Sequence, residues 1–184
     1  AARTFRTAAM GARPVITMAS MVVGEDVSAL DMIAQVQSQF VQRGLEKPLF
    51  IYVPRAPDRF DVVAEIIAEK SLSYAKRSDV LDALLQIKSE TGNTKIDIAR
   101  IDINGLDIVL GDSLGEMYFY LGLCDRALIG GGFAKTSHNI IETLAMRKPV
   151  LVVLMLLAMG TQVLSQGIRG EILDTEGNPV PFAA

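Results

Sequence analysis

Asp107-Ile108-Val109-Leu110-Gly111-Asp112-Ser113-Leu114-Gly115-Glu116 and Arg126-Ala127-Leu128-Ile129-Gly130-Gly131-Gly132 share one design: a short apolar run passes directly into a glycine-bearing turn. Between and after them, Gly115 to Leu123 reads as a helix, Ser137 to Met146 as another, and Val150 to Val153 as a further strand. Strands that alternate with helices through connections of a few residues are βα units, and such units build a parallel sheet with helices packed back onto it. The expected class is therefore α/β, a Rossmann-like, doubly wound and mostly parallel sheet.

The same alternation extends toward the N-terminus. Pro14 to Ala19 reads as a strand, and Val27 to Val41 as a helix that Gly44 ends. Its stripe is expected at Val27, Leu30, Ile33, Ala34 and Val41. Leu49 to Val53 is a strand stopped by Pro54, followed by a helix capped by Asp58 or Asp61 and packed through Val62, Val63, Ile66, Ile67 and Ala68. Ser73 to Lys76 reads as an edge strand. In the stretch 78–101, Val80 to Lys88 reads as helix and Thr91-Gly92-Asn93 as a turn.

A chain of 184 residues has room for one domain with a core of its own, or for a domain plus an appendage. Only 6% of residues are aromatic and Trp is absent, so the core must be aliphatic, as in buried parallel strands. A net charge of −3 gives no general attraction to nucleic acid. The single cysteine, Cys124, excludes an intrachain disulfide and reads as a buried, inert thiol. No metal or cofactor site is expected. The chain opens on Ala1-Ala2, which reads as a fragment or a processed product.

In doubly wound sheets ligands bind beyond the carboxyl ends of the strands. Three strand exits here carry unusual residues. At the first, Arg55 follows Val53-Pro54; its guanidinium either grips a phosphate or carboxylate, or pairs with Asp58 and Asp61 on the surface, the reading favoured for Arg59. At the second, Gly111, Asp112, Ser113 and Gly115 let backbone approach a ligand, or Asp112 or Ser113 simply caps the helix that follows. The third is Gly130, Gly131 and Gly132. Three glycines have no structural need for one another and fit backbone passing close to a bulky ligand. Ser137, His138 and Asn139 then crowd a helix start that favours an anion, and Glu142, one turn on, suits ribose hydroxyls. His138, the sole histidine, reads as a positioning group ahead of an acid or base, and as a poor metal ligand.

These pieces in this order resemble the C-terminal domain of the bacterial 3-deoxy-D-manno-octulosonic acid (Kdo) transferases, a GT-B family. The matching residues are Ala19-Ser20 with Gly24-Glu25-Asp26, Pro54-Arg55 with Pro57 and Arg59-Phe60, Gly111 to Glu116, Gly130-Gly131, His138-Asn139 with Glu142, and Lys148-Pro149-Val150. The chain departs from the family pattern at Ala56, Ser137, Ile140 and Thr143, where the family has His, Gly, Pro and Pro.

The resemblance implies a donor site for CMP-Kdo, with Arg55 and Asn139 at phosphate or the Kdo carboxylate and Glu142 at the ribose. It implies transfer of Kdo to a lipid A precursor in lipopolysaccharide biosynthesis, without a required metal, peripherally at the cytoplasmic face of the inner membrane. The family's acceptor-binding half, with its general base, lies N-terminal to such a domain, so this chain is expected to be inactive alone. Alternatives are a UDP-sugar-dependent GT-B transferase, a non-catalytic nucleotide-binding module, or a fusion fragment.

The expected donor domain spans residues 1–150. Residues 151–184 depart from the family: an apolar run from Leu151 to Met159 behind Arg147-Lys148 has the layout of a signal peptide, and Gly167 to Pro181 resembles the first strands of a small β-sandwich of outer-membrane receptors. A junction with foreign sequence is expected near Val150, the alternative being a last core strand followed by a helix.

Overall fold

A computed structural model describes residues 2–80, 103, 105–131 and 140–152, without the side chains of Arg3, Thr4, Ala8 and Val152. All of the described residues belong to one unit, Ala1–Leu154. The expectations for residues 81–102 and 153–184 lie outside them. A strand over Val150–Val152 runs across the expected boundary at residue 150.

Six strands form one sheet: β1 (Val15–Met21), β2 (Leu49–Pro54), β3 (Tyr74–Lys76), β4 (Ile108–Leu110), β5 (Arg126–Ile129) and β6 (Val150–Val152). Their order is β3-β4-β2-β1-β5-β6 and every pairing is parallel. The helices are α1 (Ala2–Phe5), which continues into a π-turn at Arg6–Met10, α2 (Asp26–Gln42), α3 (Phe60–Glu69), α4 (Met117–Leu123) and α5 (Ile140–Ala145). Residues 77–80 are also helical.

Strand alternation explains the two layers of core. On β2, Leu49, Ile51 and Val53 point to one face and Phe50 and Tyr52 to the other, as a period of two requires. The first face packs against Tyr120, Leu121 and Leu123 of α4, and the second against Ala29, Leu30 and Ile33 of α2 and Val63, Ala64 and Ile67 of α3. With helices on both faces the sheet is doubly wound, and β2 is buried along its whole length.

The helix faces differ from the expected stripes. On α2 the buried positions are Asp26, Ala29, Leu30, Ile33 and Gln37, while Val27 and Val41 are exposed. Gln37 is drawn inward because its amide donates to Pro48 O at 3.1 Å. On α3, Val62 is exposed and Ala64 is buried. Neither Asp58 nor Asp61 caps that helix: Arg59 occupies the cap position without a side-chain cap bond, and Asp61 pairs with Lys76. Gly44 N–H donates to Val41 O at the end of α2, as expected.

The amino edge of the sheet is tied by Arg13, which is 4% exposed. Its guanidinium donates to the carbonyls of Lys47 at 2.7 Å, Ile103 at 3.1 Å and Leu106 at 2.6 Å. Burial lowers its pKa, although Asp107 and Glu46 favour the charge.

Candidate functional site

From β1 the chain moves to β2 on one side, and later returns to place β5 on the other side of β1. The exits of β1 and β5 therefore flank the topological switch point, where doubly wound sheets open a crevice for ligands. Backbone bonds hold the neighbouring exits in register. Arg55 N–H donates to Met21 O at 2.9 Å, Gly111 N–H to Tyr52 O at 2.8 Å, and Gly130 N–H to Ala19 O at 2.9 Å. The three loops singled out in the sequence thus leave one edge of the sheet, those of β4 and β2 side by side and that of β5 beyond β1.

Arg55 is exposed and has no side-chain partner among the described residues, so the surface pairing with Asp58 or Asp61 does not form. Arg59 departs from its surface reading as well. It is 8% exposed, ion-pairs with Asp26 and donates to Met21 O at 3.2 Å. Tyr52 OH donates to the other Asp26 oxygen at 2.7 Å. Burial raises the Tyr52 pKa far above its ordinary value, and the Asp26 bond adds to the effect.

Asp112 is a cap, but not of the helix that follows it. Its carboxylate accepts from Ser78 N–H at 2.9 Å and Ser78 Oγ at 2.5 Å, holding the helical residues 77–80 across the sheet. α4 starts behind Glu116 without a side-chain cap. Ser113 donates to Glu116, which is paired with Arg77, and Ser113 Oγ lies 2.5 Å from Tyr120 Oη. Gly111 packs beneath: a Cβ there would lie 3.0 Å from Val53 Cγ2 and 3.1 Å from Tyr120 Cζ. Gly115 has open space around it.

The first two glycines of the third loop do have a structural need, which corrects the sequence reading. A Cβ on Gly130 would fall 2.6 Å from Glu25 Oε2 and 2.9 Å from Met21 Cα. Gly131 has φ +81°, a left-handed conformation that glycine adopts without strain. Its N–H donates to both Glu25 oxygens, at 3.0 and 3.1 Å. Gly132, Ser137, His138 and Asn139 lie outside the described residues. Glu142 sits on α5, and its Oε2 is buried without a hydrogen-bond partner among the described residues.

Glu25, Asp26, Tyr52 and Arg77 were not candidates from the sequence. Tyr52 carried a usable signal, because a tyrosine in a fully buried strand needs a partner for its hydroxyl. Cys124 is buried, donates to Leu121 O at 3.4 Å, and burial pushes its thiol up, away from nucleophilic chemistry. Among the described residues no three metal-ligating side chains converge, and no helix is long and apolar enough to cross a membrane.

The chain is 36% identical over 141 residues, 76% of its length, to the 3-deoxy-D-manno-octulosonic acid transferase of Bordetella pertussis. It is 32% identical over 104 residues, 56% of its length, to the same enzyme of Haemophilus influenzae. Its fold matches the crystal structure of the C-terminal CMP-Kdo binding domain of WaaA from Acinetobacter baumannii with a TM-score of 0.59 and 25% identity, covering 82% of this chain and 67% of that one. The chain carries a C-terminal domain of the Kdo transferase family.

No family model matches the chain. A bifunctional glycosyltransferase/methyltransferase of Fusobacterium nucleatum is also similar, at 29% identity over 143 residues, 77% of this chain. The matched stretch spans 28%, 20% and 18% of these three relatives, so this Kdo transferase-type domain corresponds to under a third of each. The parallel sheet agrees with the GT-B C-terminal fold expected from the sequence.

Proposed function

We propose that this domain binds the CMP-Kdo donor at the carboxyl edge of its sheet, as the donor half of a glycosyltransferase that moves Kdo to a lipid A precursor in lipopolysaccharide biosynthesis. The observation that carries the reading is the charge balance at that edge. Arg59 is matched by Asp26, Arg77 by Glu116 and Lys76 by Asp61, whereas Arg55 has no partner among the described residues. An unmatched guanidinium at the edge where ligands bind suits a phosphate or a carboxylate, and CMP-Kdo has both.

Gly111, Asp112, Ser113 and Gly115 shape one wall, with Asp112 committed to Ser78, and Ser113 to Glu116 and Tyr120, rather than acting as free groups. Gly130 and Gly131 form the floor; Gly132, and the anion-binding helix start expected at Ser137, His138 and Asn139, lie outside the described residues. Glu142, whose Oε2 has no partner among the described residues, takes the ribose hydroxyls. Transfer needs an acceptor-binding half, and the whole enzyme acts peripherally at the cytoplasmic face of the inner membrane. Competition between CMP and UDP in a calorimetric titration tests the donor: CMP is expected to bind more tightly, and preference for UDP overturns the assignment in favour of a UDP-sugar.

A further inference from the structure

Two consecutive acids after β1 divide the work of holding the switch point. Asp26 faces β2 and α3, where Tyr52 and Arg59 grip it. Glu25 faces the other way. It is 4% exposed, and its Oε2 accepts Val22 N–H at 3.1 Å while both oxygens accept Gly131 N–H. One carboxylate therefore joins the loop leaving β1 to the turn leaving β5.

The segments it joins adopt unusual backbone. Ser20 has φ +58°, which a non-glycine residue adopts at a cost, and the β1–β2 register shifts between Ala19 and Met21. Gly131 has φ +81° and sits against Ser20 O and Val22 Cγ1 at 3.8 and 3.7 Å from where a Cβ would be. Such conformations persist when surrounding groups over-determine them. Glu25 also occupies the space a side chain on residue 130 would need.

We infer that Glu25 is a positioning residue for the donor site: it acts through Gly131, fixing the glycine turn on which the nucleotide is expected to rest. The inference rests on the donor-site reading for its effect on ligand, but not for the linkage itself. Because the Gly131 amide is committed to Glu25, that N–H is not free to donate to a phosphate.

The test uses the full chain and its Glu25→Ala and Glu25→Gln variants, read by amide hydrogen exchange and by CMP titration. In the wild type Gly131 is expected to be protected. In Glu25→Ala its exchange accelerates while Ile51 and Tyr52 in β2 keep wild-type protection, and CMP binding weakens by at least about tenfold, the loss expected when a hydrogen-bonded charge is removed. Glu25→Gln keeps one acceptor oxygen and is expected to lie between the two in both readouts. CMP affinity in Glu25→Ala within twofold of wild type, with β2 still protected, overturns the positioning role.

Should Glu25→Ala fail to fold, Glu25→Gln decides alone: faster Gly131 exchange with weaker CMP binding supports the inference, and no change in either sinks it. Should the wild type bind no CMP, the donor reading has failed rather than the linkage. Gly131 exchange still decides the linkage, supporting it if faster in the variants and refuting it if equal.

Discussion

Tyr52 donates its phenolic hydrogen to Asp26 at 2.7 Å, joining the middle of the sheet to the first turn of α2 directly beneath the strand exits. With Arg59 on its second oxygen, Asp26 is a buried anion satisfied from two sides. Removing one side is not symmetrical with removing the other. Tyr52→Phe deletes a single hydrogen bond and is expected to destabilise by about 1–2 kcal/mol. Arg59→Met leaves a buried carboxylate without its cation and is expected to destabilise by about 3–5 kcal/mol. Urea unfolding of the two variants checks the order.

The same pair sets an alkaline limit. The folded-state pKa of Tyr52 lies above its unfolded value, because burial disfavours the phenolate and Asp26 accepts from the phenol. A raised pKa means the native state holds the proton more tightly. The contribution is fully present below the unfolded pKa of about 10 and is lost as pH rises above it. Stability measured between neutral and strongly alkaline pH is expected to fall more steeply in the wild type than in Tyr52→Phe.

At the opposite edge the sign reverses. Burial pushes the Asp107 pKa up, but the Lys47 ammonium and the Ser73 backbone and hydroxyl bonds outweigh it, so the net shift is downward. A depressed pKa stabilises the native state above the unfolded value of about 4, and that stability disappears as pH falls through the folded value. Asp107→Asn is expected to be less stable than wild type at neutral pH, with the gap closing in acid; thermal unfolding across that range reads it.

Gly130 and Gly131 are expected to resist substitution for different reasons. At Gly130 a methyl group meets Glu25 and the Met21 backbone, so Gly130→Ala forces a shift and is expected to destabilise by about 1–3 kcal/mol. At Gly131 the nearest atoms are 3.7 Å away, and only the positive φ opposes alanine, at about 1–2 kcal/mol. Chemical unfolding of both variants is expected to show the larger loss at Gly130.

Arg55 separates binding from folding. It is exposed and unpaired among the described residues, so Arg55→Ala is expected to leave the melting temperature unchanged. Its loss from a phosphate or carboxylate contact is expected to weaken CMP-Kdo binding about tenfold or more. Calorimetry and thermal unfolding on one preparation make the comparison.

The strands were legible because parallel strands buried on both faces are written as continuous apolar runs: β4 is Ile-Val-Leu, and β2 is apolar but for the Tyr52 hydroxyl. The α2 face was not, because Gln37 is buried by a carbonyl 11 residues away while Val27 and Val41 stay in solvent. Polar residues misled for the same reason. Arg59 finds Asp26 at a separation of 33 residues, and Asp112 caps Ser78 at 34, whereas local spacing favoured neighbours. The candidate loops were legible as glycine-rich strand exits. The work of Glu25 was hidden, since its partner Gly131 lies 106 residues away.

On this reading the edge shared by the β2, β4 and β5 exits receives a cytidine nucleotide. Titrating the isotope-labelled chain with CMP and following backbone amide shifts tests it most directly. Saturable shifts are expected at Arg55, Gly111 and Gly131 while Leu49 and Asp125, at the amino edge, stay still. Shifts confined to the amino edge, or none at millimolar CMP, would contradict it.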